Sequence, residues 1–189
     1  MLYEILKPIC IAILKIFFGF KVEGKEVFPK NKPFILASNH LSNLDPVVIG
    51  AACPYKLYYL AKEELFRNKL FAFLIKKLNA IPLSRKKADL GVLRSVLKIL
   101  EEKPILIFPQ GTRSQNFNNF KAGVGFLYKK TVLPIIVAKI YGTDKVLPKG
   151  AKFLKKGKIR IVFDEVTSLD KAETAEEITK KVIEKIKSL

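Results

Sequence analysis

The segment Pro33-Phe34-Ile35-Leu36-Ala37-Ser38-Asn39-His40-Leu41-Ser42-Asn43-Leu44-Asp45 carries a strong strand signal and the chain's one histidine. Its apolar half predicts a buried strand that ends at Ser38. A short helix is predicted over 46–52, with Asp45 as its N-cap and Pro46 at its first position. A buried strand followed by a helix is typical of an α/β domain, whose sites lie at the carboxyl ends of strands.

Further apolar runs, separated by breakers, predict the remaining elements. The predicted strands cover 56–61, 80–83, 104–108, 132–140 and 158–163. Helical patterns cover 63–78, 88–102 and a final stretch that Ser168 caps and that ends near Lys187. Strands that alternate with helices predict a single α/β domain with a mixed, mostly covered β-sheet flanked by helices.

The N-terminal stretch 2–20 is almost entirely Leu, Ile and Phe, with a thin polar stripe. Glu4, Lys7, Pro8 and Lys15 interrupt it, so a bilayer-spanning helix is disfavoured. It also lacks the small-residue cleavage site of a signal peptide. We interpret it as a helix in the membrane interface, with a buried core helix as the alternative. The expected division is a membrane-associating helix over 1–21 and an α/β domain over 22–189.

A second candidate for lipid contact is the predicted helix 63–78, whose apolar centre is flanked by lysines and an arginine. The side chains expected to contact the membrane in the two helices are Leu2, Ile5, Leu6, Ile9, Ile13, Ile16, Phe17, Phe20, Phe71 and Phe73.

Composition excludes several classes of protein. The 189 residues include 35 Lys+Arg against 17 Asp+Glu, a net charge of +18, with one His and two Cys. One His and two Cys cannot supply the usual ligands of a zinc site, so no metal is expected. Two distant cysteines are not a disulfide scaffold, which favours a reducing compartment. The positive charge predicts an anionic partner: nucleic acid, anionic lipid or a phosphorylated substrate.

His40 and Asp45 form the first candidate site. A carboxylate five residues along can fold back to the imidazole, fix its tautomer and leave the other ring nitrogen as a base. The sequence has no Gly-x-Ser-x-Gly elbow and neither Cys lies in a reactive context, so the nucleophile is expected to belong to the substrate. The alternative is a loop histidine beside an ordinary helix cap.

A second candidate site follows the predicted strand 104–108. The turn Pro109-Gln110-Gly111-Thr112-Arg113-Ser114 combines a glycine, two hydroxyls and a guanidinium, which suits a phosphate or carboxylate. The alternative is an ordinary turn after a strand. A lone Arg85 follows the extended piece Ile81-Pro82-Leu83-Ser84.

Together these segments resemble the glycerolipid acyltransferase family, and most closely its bacterial 1-acylglycerol-3-phosphate acyltransferases. Asn39-His40 with Asp45 matches the Asn-His-x-x-x-x-Asp block, and 80–85 is similar to the second block, which Arg85 closes. Phe108-Pro109-Gln110-Gly111-Thr112-Arg113-Ser114 matches Phe-Pro-Glu-Gly-Thr-Arg-Ser at six of seven positions, and 132–137 resembles the fourth block. The resemblance covers about 22–163.

The resemblance implies an enzyme that moves a fatty acyl group from acyl-CoA or acyl carrier protein to the free hydroxyl of lysophosphatidic acid, giving phosphatidic acid. It implies His40 as general base, Asp45 as its orienting partner, no acyl-enzyme and no cofactor. The substrate-binding residues that it implies are Asn39, Arg85, Gln110, Gly111, Thr112, Arg113, Ser114 and Lys121. The enzyme would act at an anionic phospholipid surface, on the cytoplasmic face of the cell membrane, as a monotopic or peripheral protein.

Three departures and two alternatives remain open. Gln110 stands where the family usually has Glu, Asn79-Ala80 replaces a common Gly, and the fourth block has one Pro. A sibling acyltransferase that uses glycerol-3-phosphate or another lysophospholipid is one alternative. The other is a non-catalytic basic module that binds lipid or nucleic acid. Nucleic acid is disfavoured as a partner because the chain has no RNP-like run, KH loop or zinc-finger spacing.

Overall fold

The structure of the chain, a computed structural model, describes residues 2–84, 90–114, 116–117 and 119–189. Its α-helices are α1 (Leu2–Phe18), α2 (Asp45–Ala52), α3 (Lys69–Lys77), α4 (Leu90–Leu100), α5 (Gly123–Thr131), α6 (Thr143–Val146) and α7 (Ala175–Ser188). Its strands are β1 (Lys21–Glu23), β2 (Ile35–Ser38), β3 (Tyr58–Lys62), β4 (Ala80–Leu83), β5 (Ile105–Ile107), β6 (Ile135–Tyr141) and β7 (Arg160–Glu165). Short 3-10 turns cover Lys25–Val27 and Glu63–Phe66.

The strands form one sheet in the order β1-β7-β6-β2-β5-β3-β4. All neighbours are parallel except β6 and β7, which are antiparallel and pair Ala138 with Phe163. Alternate side chains of a strand face opposite sides of the sheet. In β2, Leu36 packs with α1 and α2 on one side, and Ile35 packs with α4, α5 and α7 on the other. The predicted single α/β domain with a mixed, covered sheet is confirmed.

Helix α1 belongs to this core and also has an exposed face. Leu14 and Phe18 are buried against α2 and the sheet, and the ammonium of Lys7 donates to the carbonyl of Cys53 at 2.5 Å. Phe20 is also buried in this core, so it is not available to a membrane and that prediction is wrong. Of the described helices, none is long and apolar enough to cross a bilayer.

The exposed face of α1 is an apolar stripe, because residues three or four apart share a helix face. We call it the α1 stripe. It consists of Ile5, Ile9, Ile13, Ile16 and Phe17. Leu2 and Leu6 are partly buried, and Phe71 and Phe73 are exposed on α3.

Two predicted helix starts are wrong for local reasons. The final helix begins after Thr174, not Ser168, because Thr174 and Glu177 form a reciprocal capping box. The predicted helix 63–78 is divided into the turn Glu63–Phe66 and α3, since the Asn68 side chain caps α3 by accepting from Phe71 N–H at 3.0 Å.

The topology places several loops at one edge of the sheet. Strands β2, β3, β5 and β6 all end there, and we call it the carboxyl edge. Because β7 is antiparallel to β6 and parallel to β1, both β1 and β7 begin at this edge. The carboxyl end of α1 lies there too, where Phe18 carbonyl accepts from Ile159 N–H at 3.0 Å. The residues after β2 and β5 therefore meet at this edge.

Candidate active site

His40 and Asp45 form a close pair just beyond the end of β2. The Nδ1 atom of His40 lies 2.8 Å from Oδ2 of Asp45. The same oxygen accepts the backbone N–H groups of Leu41 at 2.6 Å and Ser42 at 2.7 Å. Asp45 is 0% exposed and is the first residue of α2.

This arrangement assigns the tautomer of His40. A carboxylate oxygen is an acceptor, so Nδ1 carries the proton and Nε2 has the free lone pair. The His40 side chain is 15% exposed, which leaves the ring within reach of a substrate. The pair can therefore accept a proton at Nε2 while Asp45 stabilises the resulting imidazolium.

The sequence predicts that Asp45 caps α2, but in the structure it does not. The N-cap is Leu44, which has no side-chain cap, and the Asp45 carboxylate turns back toward His40 and the two preceding amides. Its second oxygen, Oδ1, is buried and has no hydrogen-bond partner among the described residues. The ordinary-cap alternative is therefore wrong for this residue.

The turn after β5 also holds the loop that follows β2, residues 39–44, which we call the His40 loop. The His40 N–H donates to Gln110 Oε1 at 2.7 Å, and Ser114 N–H donates to the His40 carbonyl at 2.9 Å. Phe108 stacks on the imidazole with ring centroids 4.2 Å apart and an interplanar angle of 18°. The imidazole is thus fixed by a carboxylate at one edge and an aromatic face on one side.

Two residues expected to bind substrate hold the backbone instead. Asn39 is buried and uses both amide atoms on Ile140, accepting its N–H at 2.7 Å and donating to its carbonyl at 2.9 Å. Gln110 is buried too, and its Nε2 donates to the Ser114 carbonyl and, at 3.4 Å, to that of Asn116. Asn39 and Gln110 therefore position the site rather than line an open pocket.

The other described residues of the predicted anion site lie in the turn after β5 or over it. Gly111 has a φ of +62°, which suits glycine, and its N–H donates to the Phe108 carbonyl at 2.9 Å. The Lys121 side chain passes over Gly111, and its methylenes lie 3.5 Å from where a Cβ would be. Thr112 is exposed, and Arg113 and Ser114 are partly exposed. Arg85 lies outside the described residues.

The two cysteines do not offer an alternative nucleophile. Burial raises the pKa of the Cys53 thiol to about 12 and also raises the pKa of Cys10. A thiol with a raised pKa is a poor source of thiolate at neutral pH. This agrees with the prediction that the nucleophile belongs to the substrate.

Comparison with known proteins assigns this architecture to a family. The family model described as Acyltransferase matches residues 19–141, which include β2, β5 and the loops that follow them. The chain belongs to the acyltransferase family.

Individual relatives agree with this assignment. The acyltransferase chain is 31% identical over 156 residues to the 1-acyl-sn-glycerol-3-phosphate acyltransferase of Bacillus subtilis, covering 82% of this chain and 76% of that protein. It is 28% identical over 131 residues to the alpha form of the human enzyme of that name, covering 65% of this chain and 46% of the human protein. The crystal structure of the Thermotoga maritima 1-acyl-sn-glycerophosphate acyltransferase PlsC superposes with a TM-score of 0.80 at 28% identity, covering 98% of this chain and 78% of that one.

The acyltransferase site also contains contacts that the sequence does not predict. In the sequence Phe108 is only part of a motif, although its place after the strand beside β2 puts it next to His40. The Ser42 hydroxyl donates to the Leu147 carbonyl at 2.7 Å, which ties the His40 loop to a segment more than a hundred residues away. No pattern in the sequence signals that contact.

Proposed function

We propose that this acyltransferase moves a fatty acyl group from a thioester to the free hydroxyl of 1-acylglycerol-3-phosphate, giving phosphatidic acid. The observation that carries the proposal is the His40–Asp45 pair, 2.8 Å apart, beside the turn that contains Gly111 and Arg113 and over which the Lys121 side chain lies. The printed names of the bacterial and human relatives support this acceptor.

The proposed mechanism needs one base and no enzyme nucleophile. Nε2 of His40 takes the proton of the acceptor hydroxyl while Asp45 holds Nδ1–H. The acceptor oxygen attacks the thioester carbonyl, the new ester bond forms, and the carbon–sulfur bond breaks. The thiol leaves with the proton held by the imidazolium, so that the enzyme returns to its starting state. The acyl donor, acyl-CoA or acyl carrier protein, is a co-substrate rather than a cofactor.

The acceptor's phosphate is proposed to lie against the turn after β5. Arg113, which is partly exposed, and Lys121, whose side chain lies over Gly111, supply positive charge at this turn. Thr112 and Ser114 supply hydroxyl groups, and Arg85 is proposed to complete the set from the family resemblance. These positively charged side chains, and not a metal ion, are expected to balance the charge of the phosphate.

The chain is proposed to work at the cytoplasmic face of the cell membrane, as a monotopic or peripheral protein. The α1 stripe and the exposed Phe71 and Phe73 of α3 support contact with lipid, because large apolar side chains are left in solvent. The net charge of +18 suits an anionic bilayer.

The test is acyl transfer by purified protein, with labelled acyl-CoA or acyl carrier protein offered separately. The acceptors are lysophosphatidic acid, glycerol-3-phosphate and other lysophospholipids, beside a His40→Ala variant whose folding is checked by thermal unfolding. We expect phosphatidic acid from wild type and a loss of about a hundredfold or more in the variant. Equal transfer by the two proteins would contradict the mechanism, and preference for another acceptor would identify a sibling enzyme.

A further inference from the structure

The loop between α6 and β7 exposes two large apolar side chains among lysines. In this 147–158 loop Phe153 is 82% exposed and Leu154 is 52% exposed. The loop contains Lys149, Lys152, Lys155, Lys156 and Lys158 and no acidic residue. None of the ion pairs in the described part of the chain includes one of these lysines. Exposed apolar side chains with a cationic rim call for a partner.

The loop is held in a defined shape at its base. Lys155 N–H donates to the Val146 carbonyl at 2.7 Å, and Val146 is fully buried in the core. Gly142, with a φ of +84°, lies so close to the loop that a Cβ would be 2.0 Å from the Lys158 carbonyl oxygen. Since these contacts close the base, Phe153 and Leu154 are presented outward from a fixed position.

The position of the loop links the active site to α1. At its start, Leu147 accepts from the Ser42 hydroxyl in the His40 loop at 2.7 Å. Immediately after its end, Ile159 N–H donates to the carbonyl of Phe18, the last residue of α1, at 3.0 Å. Ile16 and Phe17, which close the α1 stripe, are 75% and 68% exposed. The loop, the end of α1 and the candidate site therefore share the carboxyl edge.

We propose that the 147–158 loop inserts Phe153 and Leu154 into an anionic bilayer and, with the end of the α1 stripe, seats the carboxyl edge on the lipid surface. The inference deepens the proposed function and rests on it, since an acceptor that lies in the bilayer must reach His40 from that surface. Apolar side chains enter the headgroup boundary, and the lysines around them lie at the depth of the phosphates.

A bilayer explains the surface better than an acidic carrier protein. The apolar side chains come from two separate elements, the loop and α1, and the most exposed of them, Phe153 and Ile16, are 82% and 75% exposed. The loop has five lysines within twelve residues, which suits the negative potential of an anionic leaflet. Each lysine is expected to strengthen membrane affinity by about fivefold. Binding to acyl carrier protein alone is an outcome that the test below detects.

The chain lacks tryptophan, so a single substitution gives a site-specific fluorescent probe. We expect the emission of F153W to shift to shorter wavelength on vesicles of equal parts phosphatidylglycerol and phosphatidylcholine. We also expect quenching when the acyl chains carry bromine. The matched probe is V132W, since Val132 is 51% exposed but lies before β6, at the opposite edge of the sheet. Its emission should not change.

Affinity provides the second measurement. Cosedimentation with the same vesicles should weaken by about tenfold or more for Phe153→Ser with Leu154→Ser, and should be unchanged for Val132→Ser. If the emission of F153W responds to acyl carrier protein but is not quenched by brominated lipid, the proposal is overturned in favour of a protein partner. Wild type that fails to bind anionic vesicles would also overturn it.

Failure of this inference can be separated from failure of the proposed function. Acyl transfer to lysophosphatidic acid dispersed in detergent micelles does not require a bilayer. If phosphatidic acid forms in micelles but F153W emission is not quenched on vesicles, membrane insertion of the loop is rejected and the proposed function stands. If F153W is quenched but no donor gives product, insertion of the loop stands and the proposed function is rejected.

Discussion

At the scale of single residues, Asp45 is the position where a change of one atom tests the proposed mechanism. Its Oδ2 accepts from His40 and from two backbone amides. Asp45→Asn removes the negative charge that stabilises an imidazolium and allows the wrong tautomer. We expect kcat to fall by about a hundredfold or more with little change in KM. Steady-state kinetics measure this, and a variant with full kcat would show that Asp45 only shapes the loop.

Gln110 is the second residue with a sharp expectation, because the family's usual residue there is Glu. The Gln110 amide accepts from His40 N–H and donates to the Ser114 carbonyl, and a carboxylate can make only the first bond. Gln110→Glu should therefore lower the free energy of unfolding by about 1–3 kcal/mol, since a buried carbonyl loses its donor. Urea unfolding measures the change. Unaltered stability and acceptor profile would make Gln110 a neutral replacement.

The sequence predicted the chemistry of this site better than its supports. His40, Asp45 and the 109–114 turn were found because a histidine, a carboxylate and a glycine turn follow strands at characteristic spacings. The buried roles of Asn39 and Gln110 could not be predicted, because they depend on which strands are neighbours in the sheet. The Phe108 stack depends on the same neighbour relation.

At the scale of elements, the start of α7 shows how a local motif decides between two candidate caps. Thr174→Ala removes the hydroxyl that accepts from Glu177 N–H at 3.2 Å, and we expect a loss of about 1 kcal/mol. Ser168→Ala is the matched control, because Ser168 precedes the helix and its backbone carbonyl accepts from Lys181 at 3.1 Å, a bond that the substitution retains. Thermal unfolding compares the two. Equal losses would contradict the assigned start of α7.

Helix α1 has two faces that should respond to different measurements. Ile9→Ser with Ile13→Ser alters the exposed α1 stripe, so vesicle binding should weaken while thermal unfolding stays near that of wild type. Leu14→Ala empties a core position that is 3% exposed, and should cost about 2–5 kcal/mol of stability. Deleting the helix would mix these effects. Vesicle binding that is unchanged by the Ile substitutions would reject the membrane role of α1.

Buried strands were predicted within a few residues because continuous apolar runs between breakers have few other interpretations. Strand β1 gives too short a signal to be predicted, because it has three residues and pairs only with β7 in the described structure. Helix α5 is not predicted either, because its two glycines weaken the helical pattern. Gly125 is required there, since a Cβ would lie 2.0 Å from the Ala175 carbonyl oxygen at the start of α7.

At the scale of the whole molecule, charge is divided between a basic body and an acidic C-terminal segment. Residues 164–189 contain seven Asp+Glu and five Lys+Arg, while the complete chain has a net charge of +18. Hydrogen bonds from Lys185 and Lys181 lower the pKa of Asp164 and Glu173, and those from Thr174 lower the pKa of Glu177. The carboxylates that hold α7 are therefore concentrated in one part of the fold.

This distribution predicts where acid unfolding begins. A carboxyl whose folded pKa lies below its unfolded value stabilises the protein above the unfolded pKa, and that stability is lost as pH falls through the folded pKa. Protonation also adds to the repulsion within a protein that is already strongly positive. We expect α7 to lose amide protection before β2 and β6 as pH is lowered below about 4. Hydrogen exchange followed by mass spectrometry measures this, with Lys185→Met as the comparison.

The Lys185→Met variant lacks the 2.5 Å bond to Asp164. Its deficit in α7 protection relative to wild type at neutral pH should therefore shrink toward zero in acid. A deficit that persists at low pH would mean that Lys185 stabilises α7 through packing rather than charge.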